Sequence, residues 1–222
     1  MDKLFIVANI KSYKTETEAK AWLDVFKEIN ENSQNLLQKE IVVCPPFTLL
    51  ALFDRFFKEN NLPIKVGAQN VSGFNEGAYT GEINAKQIKE FGDYVLIGHS
   101  ERRNNFKESD EMLFNKVKIS LEYGLIPIYC VQDKDTLVPE GVKILAYEPV
   151  FAIGSGNPDT PDNANEIAKS FLDKNSNYSV LYGGSVSAEN VRSFTKEENV
   201  KGVLVGGASL EAEEFIKIIQ NA

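Results

Sequence analysis

Eight short apolar runs recur along this chain with helical patterns between them, and that alternation leaves few folds open. The runs are Leu4 to Ala8, Glu40 to Cys44, Ile64 to Ala68, Tyr94 to Ile97, Leu125 to Val131, Val142 to Tyr147, Tyr178 to Tyr182 and Val203 to Val205. Most are apolar nearly throughout rather than alternating, as parallel strands covered on both faces are. Thr15 to Ile29 carries Ala19, Trp22, Phe26 and Ile29 at helical spacing. Pro46 to Lys58 opens on a proline, which a helix start tolerates. Asn84 to Phe91, Glu108 to Glu122, Thr160 to Leu172, Ser187 to Phe194 and Glu211 to Ile219 continue the series. Strand then helix, repeated about eight times, predicts an α/β fold: one (β/α)8 barrel domain over residues 1–222. A doubly wound open sheet is the runner-up, but it does not call for eight strands in this length.

One interval breaks the rhythm. Between Val131 and Val142 lie only Gln132 to Gly141, including Pro139. A parallel crossover with its own helix needs about a dozen residues or more. The fifth helix is therefore expected to be missing or reduced to a turn, with one flank of the barrel thinly covered.

Charge and cysteine content narrow the setting. The net charge is -8 and no basic block is present, so nucleic acid is not an expected partner. An anionic small molecule is still compatible, because a few amides and one Lys suffice for a phosphate. No apolar run reaches membrane-spanning length and no signal peptide is read, so no membrane contact is expected. Cys44 and Cys130 are too few for a disulfide framework. Both read as buried thiols at strand ends in a reducing cytoplasm.

In a barrel of this kind the active site forms at the C-terminal ends of the strands. The sixth run ends at Glu148, where Pro149 stops the strand, and is followed by Gly154-Ser155-Gly156. Taken alone, that stretch reads equally as a base with a closing loop or as a strand, a turn and a solvated Glu. The first run ends in Asn9-Ile10-Lys11 and the fourth in Gly98-His99-Ser100-Glu101-Arg102-Arg103. Gly183-Gly184-Ser185 follows the seventh run, and Gly206-Gly207-Ala208-Ser209 the eighth. Lys11 can be a solvated charge, His99 a structural imidazole, and the glycine pairs simple turns. Alternatively the glycine amides form an anion cradle at one mouth. A Lys, the only His, a Glu and two glycine turns at matching strand ends favour the functional reading.

These segments resemble the triosephosphate isomerase family over essentially the whole chain. The resemblance rests on Asn9-Ile10-Lys11, Gly67-Ala68-Gln69-Asn70, Gly77-Ala78-Tyr79-Thr80-Gly81-Glu82 and Ile97 to Arg103. It continues through Ala146 to Val150, Ala152 to Gly156, Tyr182 to Val186 and Val205 to Leu210. It implies a TIM barrel that interconverts dihydroxyacetone phosphate and glyceraldehyde 3-phosphate, in glycolysis and gluconeogenesis. Glu148 then corresponds to the base, and His99 to an electrophile acting as neutral imidazole, as is established for that family. Lys11 corresponds to the electrostatic stabiliser, with Asn9 adding a hydrogen bond, and Glu101 to a proton-holding neighbour of Lys11. Gly154, Ser185, Gly206 and Gly207 correspond to the phosphate-holding positions. Val150 to Ser155 corresponds to a closing lid. The resemblance calls for no metal and no organic cofactor. It also implies a homodimer through the loop Asn70 to Glu82, with Thr80 near the partner's active site.

The chain departs from the family pattern at several places. Ile10 stands where the family usually has Trp, Ala8 where it has Gly, and Phe151 where it has Trp. Gln132-Asp133 replaces a usual Gly-Glu pair after the fifth strand. A barrel that binds phosphate without turnover predicts loss of Glu148, His99 or Lys11, and all three are present. Another phosphosugar isomerase on the same scaffold is the remaining alternative.

Overall fold

Successive residues of a strand point to opposite faces, so strands that are apolar on both faces need one layer inside the sheet and one outside. The computed structural model describes residues 3–27, 38–149 and 158–222. Eight parallel strands close into a barrel in chain order. They are β1 (Leu4–Asn9), β2 (Lys39–Cys44), β3 (Ile64–Ala68), β4 (Tyr94–Ile97), β5 (Ile126–Val131), β6 (Ile144–Tyr147), β7 (Ser179–Tyr182) and β8 (Val200–Val205). Val7, Val42, Tyr94, Leu96, Ile128, Ile144, Ala146, Leu181 and Leu204 fill the interior together with Cys44 and Cys130. The alternate set, including Ile6, Ile41, Val95, Tyr129, Leu145 and Val203, faces outward into the layer covered by helices. Both cysteines are free and buried. Among the described residues no helix is long and apolar enough to cross a membrane.

The helices are α1 (Glu16–Lys27), α2 (Leu50–Glu59), α3 (Ala85–Lys89), α4 (Ser100–Asn105), α5 (Asp110–Glu122), α6 (Pro161–Lys174), α7 (Val191–Thr195) and α8 (Ala212–Asn221). Several begin on side-chain caps. Thr15 and Glu18 hydrogen bond reciprocally at the start of α1, and Asn84 and Gln87 form a capping box on α3. Ser109 caps α5, and Thr160 caps α6 with Pro161 in its first turn. On α1 the buried residues are Ala19, Trp22, Leu23 and Phe26; Ile29 lies outside the described residues. The predicted helix from Pro46 instead begins as a 3-10 turn, Phe47–Leu49, before α2. The predicted helix from Ser187 is only α7, because the Asn190 side chain takes the Ser187 N–H and donates to the Ser185 carbonyl. Those bonds hold a turn where a helix was expected.

No helix lies between β5 and β6, so residues 132–143 form an unhelical connection as the short interval predicts. Its first part is a tight turn. The Thr136 hydroxyl accepts from the Gln132 and Asp133 N–H groups, and Asp133 accepts from Asp135 N–H. Leu121, Ile126 and Leu137 are exposed in this part of the chain.

The eighth strand is longer than the apolar run that predicts it, starting at Val200 rather than Val203. Lys201 and Gly202 interrupt the run for a physical reason. Val180 pairs with Val200 and Tyr182 with Val203, so β8 carries one extra residue there, a bulge. Gly202 sits in it at φ +149°, and a Cβ would lie 2.1 Å from the Phe5 carbonyl oxygen. That oxygen belongs to the neighbouring strand and cannot move aside. Gly202→Ala is expected to cost about 3 kcal/mol of stability, the upper end for point substitutions. Gly207→Ala, where an added carbon meets nothing within 4 Å, is expected to change stability by less than about 0.5 kcal/mol. Urea unfolding curves of the two variants check both values.

Candidate active site

The C-terminal ends of β1, β4, β6, β7 and β8 open on one cavity of about 460 Å³. Asn9, Lys11, His99, Glu148, Ser185, Gly206 and Gly207, all singled out in the sequence, line it. Glu101 does not line the cavity but reaches its cation. Gly154, Phe151 and the Val150 to Ser155 stretch lie outside the described residues. The structure adds Tyr13, Asn190 and Leu210 to the walls.

Glu148 follows the last residue of β6 and is buried at 1% exposure. Its Oε2 accepts from Ser100 N–H at 2.8 Å, and its Oε1 lies 2.9 Å from His99 Nε2. Cys130 sits close enough to feel that carboxylate. Burial first, then the Glu148 charge, holds its thiol well above the ordinary cysteine range. Ser100 Oγ is also buried and has no hydrogen-bond partner among the described residues.

His99 is the N-cap of α4, and its Nδ1 accepts the Glu101 N–H at 3.2 Å. An Nδ1 that accepts carries no proton, so the ring proton sits on Nε2 and points at Glu148. Burial, the largest influence on this imidazole, lowers its pKa. The Glu148 charge and hydrogen bond oppose burial and turn the net direction upward. The neutral ring expected from the sequence therefore depends on where Glu148 is. Against His99, the carboxylate favours the imidazolium; away from it, burial and the Glu101 N–H favour the neutral form.

Lys11 adopts the left-handed backbone at φ 55°, which costs a non-glycine residue about 1 kcal/mol or more. Its N–H donates to Asn9 Oδ1 at 3.0 Å, and its carbonyl accepts from Gln69 Nε2 at 2.8 Å. The same Gln69 amide donates to the Cys44 carbonyl at 2.9 Å, tying the ends of β1 and β2 together. Lys11 Nζ is then 2.6 Å from Glu101 Oε1. Gln69 belongs to a motif visible in the sequence, but its service to the Lys11 backbone was not readable there. Ser209 was missed likewise. Its hydroxyl donates to the Gly206 carbonyl at 2.7 Å and lies 3.2 Å from the Asn9 carbonyl. Its own carbonyl accepts the indole N–H of Trp22, the only tryptophan. Only a long-range contact map brings residues 9, 22, 206 and 209 together.

A buried carboxylate, an imidazole with its proton on Nε2 and a lysine thus share one pocket with two glycine-rich turns. A match to the family model described as Triosephosphate isomerase spans residues 4–222. The chain belongs to the triosephosphate isomerase family. Its relatives include the triosephosphate isomerases of Dictyoglomus turgidum, 37% identical, and Dictyoglomus thermophilum, 38% identical, each alignment covering all of both chains. That of Aquifex aeolicus is 37% identical over 96% of this chain and 97% of its own. Among the family departures, Ile10 and Ala8 are fully buried beside the site, which is a packing role.

Because His99 is the only histidine, its imidazole gives one resonance to follow by NMR. In the free protein it is expected to titrate above the ordinary 6.5. In Glu148→Gln the larger raising influence is gone, and burial remains with only the smaller Glu101 charge against it, so the midpoint is expected to fall. A midpoint unmoved by the substitution contradicts the coupling.

Proposed function

We propose that this chain isomerises dihydroxyacetone phosphate and D-glyceraldehyde 3-phosphate through an enediolate. The observation that carries the reading is Glu148, His99 and Lys11 meeting at one cavity with two glycine-rich turns. Glu148 removes a proton from the substrate carbon beside the carbonyl and returns it to the neighbouring carbon. To do so it exchanges its bonds to Ser100 N–H and His99 for the substrate. That exchange also removes the larger influence that raises the His99 pKa, leaving burial to favour the neutral ring. His99 Nε2–H then donates to the substrate oxygen as it gains charge. Lys11, held in place by Glu101, Asn9 and Gln69, adds positive charge beside the same oxygen. The backbone amides at Ser185, Gly206 and Gly207 take the phosphate, and we assign Gly154 to the same task from the family resemblance. One proton passes from carbon to carbon and the hydroxyl proton passes from one oxygen to the other, so atoms balance and the conversion is redox-neutral.

We also propose a homodimer of single barrels in the cytoplasm, where buried free thiols such as Cys44 and Cys130 persist. The contact is the loop Asn70 to Glu82. In it Phe74 and Tyr79 stack with centroids 4.3 Å apart while remaining 51% and 45% exposed. That exposed stacked pair supports the reading, because apolar surface left in water is what a partner contact buries.

The purified protein is expected to interconvert the two triose phosphates without added metal. Glu148→Gln is expected to lose ~10²–10⁴-fold in kcat, the usual contribution of a positioned base. A parent protein that binds the phosphate but does not turn it over refutes the isomerase reading. For the assembly, sedimentation velocity is expected to show a dimer in the parent and a monomer in Phe74→Glu. An unchanged dimer moves the interface elsewhere.

A further inference from the structure

Tyr147 and Tyr182 are the last residues of neighbouring strands β6 and β7, and they stand opposite each other in register. Each precedes a part of the site directly: Tyr147 precedes Glu148, and Tyr182 precedes Gly183-Gly184-Ser185. Alternation along the strand points both tyrosines outward while Glu148 points in. The two phenols converge on one residue, Asp159, which is only 8% exposed. The Tyr147 hydroxyl donates to Asp159 Oδ2 at 3.1 Å, and Asp159 N–H donates to the Tyr182 oxygen at 2.8 Å. Asn163 Nδ2 and Thr160 N–H complete the carboxylate's shell at 2.7 and 2.8 Å. A carboxylate this buried is tolerable only when so fully bonded.

Capping α6 does not account for this residue. Thr160 is already the cap, accepting from Asn163 N–H. The bond to Tyr147 runs sideways, to the strand that carries the base. The bond to Tyr182 fixes a phenol that supports the cradle: a Cβ at Gly184 would lie 2.2 Å from that oxygen. Burial first, then the Asp159 charge, holds the Tyr147 phenol above its ordinary range, so it stays a donor at working pH. Burial likewise pushes Tyr182 up to about 12.

We propose that Asp159 is a positioning residue for both halves of the site, its carboxylate acting through Tyr147 on Glu148 and its backbone N–H through Tyr182 on Gly184. It rests on the isomerase reading above. Misplacing a reacting group by about 1 Å can cost ~10²-fold, so one residue reaching both halves of the site, by its carboxylate on one side and its N–H on the other, has leverage on the rate.

The experiment measures kcat, KM and competitive inhibition by inorganic phosphate for the parent, Tyr147→Phe, Tyr182→Phe, Asp159→Ala and the Tyr147→Phe/Asp159→Ala pair. Tyr147→Phe is expected to lower kcat about tenfold or more and leave phosphate inhibition within about twofold. Tyr182→Phe is expected to weaken phosphate inhibition about fivefold or more through the cradle. Asp159→Ala loses the carboxylate but keeps the N–H that bonds Tyr182. It is therefore expected to lower kcat as Tyr147→Phe does and leave phosphate inhibition within about twofold, and adding Tyr147→Phe to it costs little further, because that link is already gone. Should Asp159→Ala not fold, the two phenol variants decide the matter alone. An active parent whose phenol variants keep kcat and phosphate inhibition within about twofold overturns the proposal and leaves Asp159 a structural residue. An inactive parent overturns the isomerase reading, and this proposal with it.

Discussion

Closure of the parallel sheet is the constraint from which the rest of this structure follows. Every strand is paired on both sides, from β1 to β2 and round to β8 and back to β1. A closed ladder leaves no edge that can slip, and a slip of one residue turns every side chain to the other face. Asn9, Glu148 and the turn after Tyr182 therefore reach the mouth at fixed depths. The interior beneath them is apolar and carries two thiols, so the mouth is the place where polar groups from several strands can meet.

What gathers at the mouth is more tightly coupled than separate strand ends suggest. Glu148 and His99 share a hydrogen bond, and His99 and Lys11 both approach Glu101. The buried His99 imidazole answers to all of them: burial lowers its pKa, the Glu148 and Glu101 charges raise it, and the Lys11 charge lowers it. Behind that layer a second set of bonds holds the backbone itself. Gln69 spans the Lys11 and Cys44 carbonyls, Ser209 joins Gly206 to Asn9, and Asp159 joins Tyr147 to Tyr182. A lysine at positive φ persists because such bonds over-determine it.

The loss of a helix between β5 and β6 is tolerated for the same reason. Strand order and register depend on the ladder, and β5 still pairs with β6 from Ile128↔Ile144 to Val131↔Tyr147. What is given up is cover on the outer layer, and exposed Ile126 and Leu137 record it. The site draws on β1, β4, β6, β7 and β8, and the ladder holds its β6 side up to the Glu148 N–H, which donates to the Val131 carbonyl at 2.8 Å.

Local chemistry was sufficient for much of this. Eight apolar runs, the helical spacing between them and an interval too short for a helix are properties of neighbouring residues, and they were legible in the chain. So were Lys11, His99 and Glu148, because strand ends are where a barrel exposes chemistry. The start of β8 was not, since Gly202 looks like a break until Phe5 of another strand is beside it. Nor were the roles of Gln69, Ser209 and Asp159, whose partners lie far away in sequence or bond through backbone groups that no residue type announces. The order of elements was determined by the sequence alone because hydrophobic periodicity acts locally. Which polar groups meet, and which protonation states they favour, was decided only by tertiary structure, because hydrogen bonds and charge coupling act over a few ångströms of space whatever the separation along the chain.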